Sequence, residues 1–320
     1  MHWSIYVLIA LILLPSLFNG IMFAYHHAKT PKEKAEIKPQ GLLVKIKGLN
    51  MNVFCANDTE SISLPTIILL SGSGVTAPIF DYKNLYSQLK MVSKVFVLEK
   101  FGYGYADESG NSKDIKTLVD DDREALRKAN VMPPYILMPH SMSALEAIYW
   151  THNYPLEVKA IIGLDMAVPE RYHNYQNRLK KIRFFHFMMT FGWQRIPTIF
   201  PIFKTGLTHE EIRQNQILSY KNALNNDVFQ ECMHVCENAA IVESIGTPDV
   251  PILMFTTTLK RSIGYEAWMD AQTRFAQKNK KCQQIILDCS HNLHHEKAEE
   301  IAMEIQKFIV MLSAHPHKHN

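Results

Sequence analysis

Several features that would announce a protein's chemistry are scarce in this chain. Five cysteines, Cys55, Cys232, Cys236, Cys282 and Cys289, are scattered through 320 residues. That is neither a disulfide framework nor a zinc pattern. Cys232 and Cys236 lie four apart, so on a helix they share a face, and packing explains them. A net charge of +3, with no basic stripe interleaved with aromatics, argues against a nucleic-acid partner. The segment Ser71-Gly72-Ser73-Gly74 lacks the Lys-Ser/Thr that would make it a phosphate loop. Between Trp3 and Tyr25 charge is absent altogether.

That uncharged run of about 23 positions is enough to cross a bilayer as a helix, and a membrane helix tolerates Pro15. A cleaved signal peptide would need a positively charged start and a shorter apolar run. A buried globular helix would usually show a polar face. Residues 1–28 are therefore read as a single-pass membrane anchor, and residues 29–40, with Pro31 and Pro39, as a charged linker. Lys29, Lys32, Lys34 and Lys38 follow the span, and the positive-inside rule then puts the remainder in the cytoplasm.

What the chain does have is alternation. Strand-like runs at Leu42–Ile46, Met51–Ala56, Thr66–Leu70, Lys94–Leu98, Tyr135–Pro139 and Val158–Leu164 take turns with helical periodicity, as at Ile115–Lys128. This predicts an α/β fold with a mostly parallel sheet covered by helices on both faces. From about Glu170 to Glu243 the alternation gives way to helical, aromatic sequence that includes a capping box at Thr208-His209-Glu210-Glu211. Alternation resumes with Pro251–Phe255, Tyr265–Lys278, Gln284–Leu287 and Glu296–Leu312. The expected organisation is core residues 41–169, an inserted helical block 170–243, and core residues 244–320. His315, His317 and His319 are read as a solvated tail rather than a metal site.

The stretch Tyr135-Ile136-Leu137-Met138-Pro139-His140-Ser141-Met142-Ser143-Ala144-Leu145 is strand, sharp turn and helix, with a serine at the bend. Such a bend strains its residue and exposes the side chain at the end of the sheet. The alternative is a serine that only caps a helix. Three more segments stand in order around it: the Gly72 turn after a strand, Phe101-Gly102-Tyr103-Gly104-Tyr105-Ala106-Asp107, and a late strand followed by Asp288-Cys289-Ser290-His291. With the helical insertion, this succession resembles the α/β-hydrolase superfamily with a cap, over about Leu42 to Val310. The elbow departs from the superfamily's G-x-S-x-G in reading Pro139-His140-Ser141-Met142-Ser143.

The resemblance implies a serine hydrolase acting on an ester, thioester or amide, with no cofactor and no metal. Ser141 would be the nucleophile and His291 the general base, a residue whose ordinary pKa lets it accept and return a proton within one cycle. The backbone N–H groups of Met142 and Ser73, or Gly74 beside it, would form the oxyanion hole. The acid is the main departure, because no carboxylate closely follows the strand Pro251–Phe255. Asp165, ending the preceding strand, is favoured for that role, with Asp270 and Glu266 as alternatives. His294 and His295 are expected on the surface at a helix start. The aromatic, methionine-containing cap suggests an apolar acyl substrate.

Two other readings stay open. Glu170, Glu210, Glu211 and Glu231 could supply the acidic pocket of an aminopeptidase-like enzyme, and the fold could serve as a non-catalytic ligand binder. Dehalogenase and epoxide hydrolase chemistry is disfavoured, because those enzymes use a carboxylate where Ser141 stands. Membrane-tethered bacterial relatives commonly face outward, against the lysine count, so the side of the membrane stays open.

Overall fold

The structure, a computed structural model, describes residues 2–57, 65–258 and 265–314. Among them one eight-stranded sheet organises the chain: β1 (Leu42–Ile46), β2 (Leu49–Cys55), β3 (Thr66–Leu70), β4 (Lys94–Glu99), β5 (Tyr135–Pro139), β6 (Val158–Leu164), β7 (Ile252–Thr257) and β8 (Cys282–Leu287). The spatial order is β1-β2-β4-β3-β5-β6-β7-β8. β1 and β2 pair antiparallel, as do β2 and β4, and every later pairing is parallel.

The central strands are apolar at nearly every position because both faces are covered. Alternate side chains divide between two cores. Ile68, Leu70 and Leu137 join one cluster, and Ile67, Leu69, Ile136 and Met138 join the other. The helices of the first part are α1 (His2–Ala35), α2 (Pro78–Asp81), α3 (Lys83–Leu89), α4 (Ile115–Lys128) and α5 (Ala144–Asn153). Asp114 caps α4 by accepting from Thr117 N at 2.9 Å, and Ile115, Leu118, Val119, Ala125 and Leu126 form its buried stripe. After β6 come α6 (Gln176–Met189), α7 (His209–Asn222) and α8 (Asn226–Ile245), and the chain closes with α9 (Tyr265–Lys278), α10 (Leu293–Glu296) and α11 (Ala298–Ala314). The capping box at the start of α7 forms as expected, with Thr208 and Glu211 each bonding the other's backbone N–H.

β3 leads one way to β4, and the chain then crosses back to lay β5 on the opposite side of β3. At such a reversal the carboxyl ends of the two strands leave a crevice. The turns after β3 and β5 carry Gly72-Ser73 and Ser141. The segment after β4 wraps the fully buried Glu99 carboxylate, which accepts from Asn52 Nδ2 at 2.8 Å, Tyr105 N at 2.9 Å and Ile79 N at 3.3 Å. Gly104 is required there, since it has φ +51° and a Cβ would fall 2.0 Å from Glu99.

The inserted block is fastened to the core in part through α8 and the residue that caps it. Asn225 Nδ2 donates to Gly102 O at 2.8 Å, and Asp227 accepts from Ser109 N at 2.7 Å and Gly110 N at 3.0 Å. Deeper, Lys100 Nζ reaches Glu146 of α5 at 2.5 Å and Glu231 of α8 at 2.6 Å. Burial disfavours the Lys100 charge, but the two carboxylates outweigh it and hold its pKa above the ordinary value. Burial also pushes Asp122 well up, and the nearby Glu146 adds to it.

The N-terminal segment departs from expectation. Residues 29–35 continue α1 instead of forming a linker, and among the described residues no helix is long and apolar enough to cross a membrane. The second half of α1 lies on the cap. Asn19, Met22, His26, Thr30 and Glu33, spaced three and four apart, are its less exposed positions. Trp193 Nε1 donates to Asn19 Oδ1 at 3.0 Å, and Arg195 grips Glu33 at 2.9 and 2.5 Å. Before this stripe, Trp3, Tyr6, Val7, Leu11–Leu14, Leu17 and Phe18 are exposed. The tail histidines expected to be solvated lie outside the described residues.

Candidate active site

Ser141 is held at φ +55°, the strain expected of an elbow serine. Its surroundings leave the backbone little choice. His140 N donates to Leu70 O at 3.0 Å, Ala167 N donates to Ser141 O at 2.8 Å, and Ser143 Oγ bonds Leu70 O at 2.8 Å. Ser143 thus ties the start of the outgoing helix to β3. Gly72 is needed for a different reason than its conformation: a Cβ there would stand 2.9 Å from both Ser141 Cβ and His140 Nδ1.

Ser141 Oγ lies 2.9 Å from His291 Nε2, and His291 Nδ1 lies 2.5 Å from Asp165 Oδ2. With the ring proton on Nδ1, His291 donates to Asp165 and accepts from Ser141. Asp165 is fully buried, at φ +41°. It accepts from Thr257 N at 3.2 Å, Thr257 Oγ1 at 2.9 Å, Trp268 Nε1 at 3.0 Å and Gln272 Nε2 at 3.1 Å. A buried carboxylate needs such donors to stay charged. The strand that carries no acid therefore contributes Thr257, which holds the acid of its neighbour. Glu266 and Asp270 are on α9 with Trp268 and Gln272, but both are exposed.

Among the described residues no hydrogen bond takes up the backbone N–H of Ser73 or of Met142. Both residues line the cleft beside Ser141, and Ser73 Oγ is fixed by Cys232 Sγ of α8 at 3.1 Å. Gly74 follows with φ +80°. Two clefts of about 410 Å3 each meet at Ser141 and His291. One is lined by Met142, Arg171, Tyr172, Tyr175, Ile182 and Trp268. The other contains Asp81, Phe203, Asn215 and His295.

Two histidines turn out differently from the sequence reading, and a third escaped it. His294 is fully buried rather than on the surface, its Nε2 2.7 Å from Asp81 Oδ2, while His295 Nε2 is 2.9 Å from Asp81 Oδ1. They turn inward because α10 is one short turn against α3, and Asp81 meets both. His140, buried behind the elbow, has Nε2 3.1 Å from His291 O and so props the loop of His291. Burial holds it well below the ordinary histidine pKa, and the neighbouring His291 and His294 push the same way. Trp268, Gln272, Thr257 and His140 were missed; only their proximity in the fold identifies them. The four carboxylates considered for an amine pocket are all paired: Glu170 with Arg274 and Glu211 with Lys83 at 2.6 Å, Glu210 with Lys38 at 2.8 Å, and Glu231 with Lys100 at 2.6 Å.

No family model matches the chain. It is 37% identical over 258 residues to the uncharacterised protein YbdG of Bacillus subtilis strain 168, covering 78% of each chain. Among solved structures it is similar to the haloalkane dehalogenase DbeA-M1 loop variant from Bradyrhizobium elkanii, at TM-score 0.62 and 16% identity, over 85% of this chain and 97% of that one. It is also similar to a protein provisionally named a lipase from Acinetobacter baumannii AYE, at TM-score 0.63 and 15% identity, over 90% and 97%. The chain belongs to one family with YbdG and has the α/β-hydrolase fold.

Proposed function

We propose that this protein is a serine hydrolase that cleaves an ester, thioester or amide through an acyl-enzyme. Ser141 attacks the carbonyl carbon while His291 takes its proton. Asp165 keeps the imidazole in the tautomer that can accept, and it stabilises the imidazolium that forms. The backbone N–H groups of Ser73 and Met142 receive the developing oxyanion. His291 then protonates the leaving group, and water repeats the sequence to free the acid. The observation that carries this reading is the relay of 2.9 Å from Ser141 to His291 and 2.5 Å from His291 to Asp165, with the serine at positive φ at the end of a central strand. The pairing of all four candidate carboxylates speaks against an amine pocket, and so against the aminopeptidase-like alternative.

A fluorophosphonate probe is expected to label the wild-type protein and spare Ser141→Ala. Equal labelling of both would remove Ser141 from the role.

The reading also attaches the protein to a membrane through the part of α1 before Asn19, where Trp3, Tyr6, Val7, Leu11–Leu14, Leu17 and Phe18 are exposed. About 17 residues precede the stripe that docks on the cap, a little short of the ~20 that span a bilayer. Full-length protein is expected to float with liposomes, and a chain starting at Phe18 is expected to stay behind. Flotation of both would locate the attachment elsewhere.

A further inference from the structure

The cleft that contains Met142 and Trp268 is lined by Tyr172, Tyr175 and Tyr265 as well, together with two arginines and, among the described residues, no carboxylate. Arg171 and Arg178 both line it. Arg171, in the short turn that follows β6, is partly buried. Its Nε is buried without a hydrogen-bond partner, and among the described residues no acid forms an ion pair with it. The exposed Arg178 lies over the Tyr175 ring at 5.9 Å.

The location of Arg171 ties it to the catalytic groups. Its guanidinium carbon is 5.8 Å from the centre of the Trp268 ring. The same indole is edge-on to His291 with ring centres 5.5 Å apart, and its Nε1 donates to Asp165. One aromatic side chain thus separates the guanidinium from the general base. The neighbouring Glu170, the acid closest in sequence, is engaged by Arg274 instead. A buried donor without an acceptor is costly to leave unpaired, and a guanidinium fork is suited to bidentate carboxylate binding.

We infer that Arg171, with Arg178 nearer solvent, is an anion-binding subsite, and that the substrate bears a carboxylate on one arm of its scissile bond. One guanidinium inside the cleft matches a single negative charge, and the aromatic walls take the apolar remainder of that arm. This deepens the serine hydrolase reading and rests on it for the word substrate, but the binding part stands apart from catalysis.

The test uses purified full-length protein and two ester pairs. One pair is 4-nitrophenyl hydrogen glutarate and its methyl ester. The other is 4-carboxyphenyl butyrate and its methyl ester, with the charge on the leaving group. In at least one pair the anionic member is expected to have the higher kcat/KM by tenfold or more. Arg171→Met is expected to bring that ratio down at least tenfold, and Arg171→Lys to restore part of it. Glutarate binding to Ser141→Ala, followed by calorimetry, should weaken at least tenfold when Arg171→Met is added, with the melting midpoint of each variant checking its fold. Preference for the neutral ester in both pairs, or a preference indifferent to Arg171→Met, overturns the subsite. If no ester is cleaved while glutarate still binds Ser141→Ala in an Arg171-dependent way, the hydrolase reading fails and the subsite stands. If esters are cleaved without charge preference and glutarate does not bind, the reverse holds.

Discussion

Two aspartate–histidine groupings sit on opposite sides of one turn, and in only one of them does the ring meet a serine. In the first, Asp165 is buried under four donors besides His291, and the ring keeps its far nitrogen free to meet Ser141 at 2.9 Å. In the second, Asp81 is shared by His294 and His295 at 2.7 and 2.9 Å, and the remaining nitrogen of His294 faces no partner at all. The contacts between acid and ring are alike. What differs is the outward side: a partly exposed ring facing Ser141 on one hand, a fully buried ring on the other. An Asp–His contact by itself therefore says little about function, and the third group decides it.

The sharpest way to break this comparison is to remove the outward partners. Ser141→Ala and His291→Ala are each expected to lower turnover of an activated ester by about 10^6, the scale seen when a triad acting as a unit loses a member. His294→Gln should stay within about tenfold of wild type, since His294 makes no hydrogen bond to Ser141 or His291 and bonds Asp81 instead. Steady-state kinetics on the three variants checks this, and a loss in His294→Gln comparable with His291→Ala would erase the distinction.

The acids should separate next. Asp165→Asn keeps the packing but favours the wrong tautomer of His291, so kcat is expected to fall about 10^4-fold. Asp81→Asn should act on stability instead, by about 1–3 kcal/mol, because the buried His294 then loses a charged acceptor. Kinetics paired with urea unfolding reads both quantities. A smaller effect on turnover than that of Asp165→Asn is expected at Gly72→Ala, where the added methyl would press on Ser141 and His140. Overpacking of this kind costs about 1–3 kcal/mol, and because the pressure falls on the elbow, kcat should drop along with the unfolding midpoint.

Much of this arrangement is legible in the residues. The alternation of apolar runs and helices gives the sheet, and α4, β6 and α9 have the bounds the periodicity assigns them. Ser141 and His291 are visible because each stands at a fixed point between a strand and a helix. Asp165 is readable as the favoured one of three acids, and the contacts that separate them depend on which carboxylate lies under β7 and α9. The shell of Thr257, Trp268 and Gln272 comes from those two elements, about a hundred residues downstream in sequence, and has no local pattern. Burial of His294 is likewise decided by α10 folding against α3, not by its neighbours in the chain. The extent of the N-terminal helix was not legible for a related reason. Lack of charge measures what a helix could enter, and the cap that takes up Asn19 to Glu33 is distant in sequence.

The last test concerns the pH at which the second pair gives way. Burial, reinforced by the nearby His295 and His291 charges and opposed by Asp81, lowers His294 below its ordinary pKa of 6.5. His294 is then neutral in the fold, while in the unfolded chain it takes up a proton below about pH 6.5. The unfolded state binds more protons in that window, so stability is complete above it and is lost as pH falls toward the folded-state pKa. His140 contributes with the same sign. Asp81 acts elsewhere. Burial raises its pKa, but His294 and the two ring N–H donors more than offset this, so its contribution is lost only below about pH 4. Unfolding free energy measured from pH 7 to 4.5 should therefore decline in the wild type, and His294→Gln should flatten the slope by up to about 1.4 kcal/mol per pH unit. An unchanged slope would mean that His294 carries its proton in both states, and that the buried pair is an ion pair rather than a neutral ring held against a carboxylate.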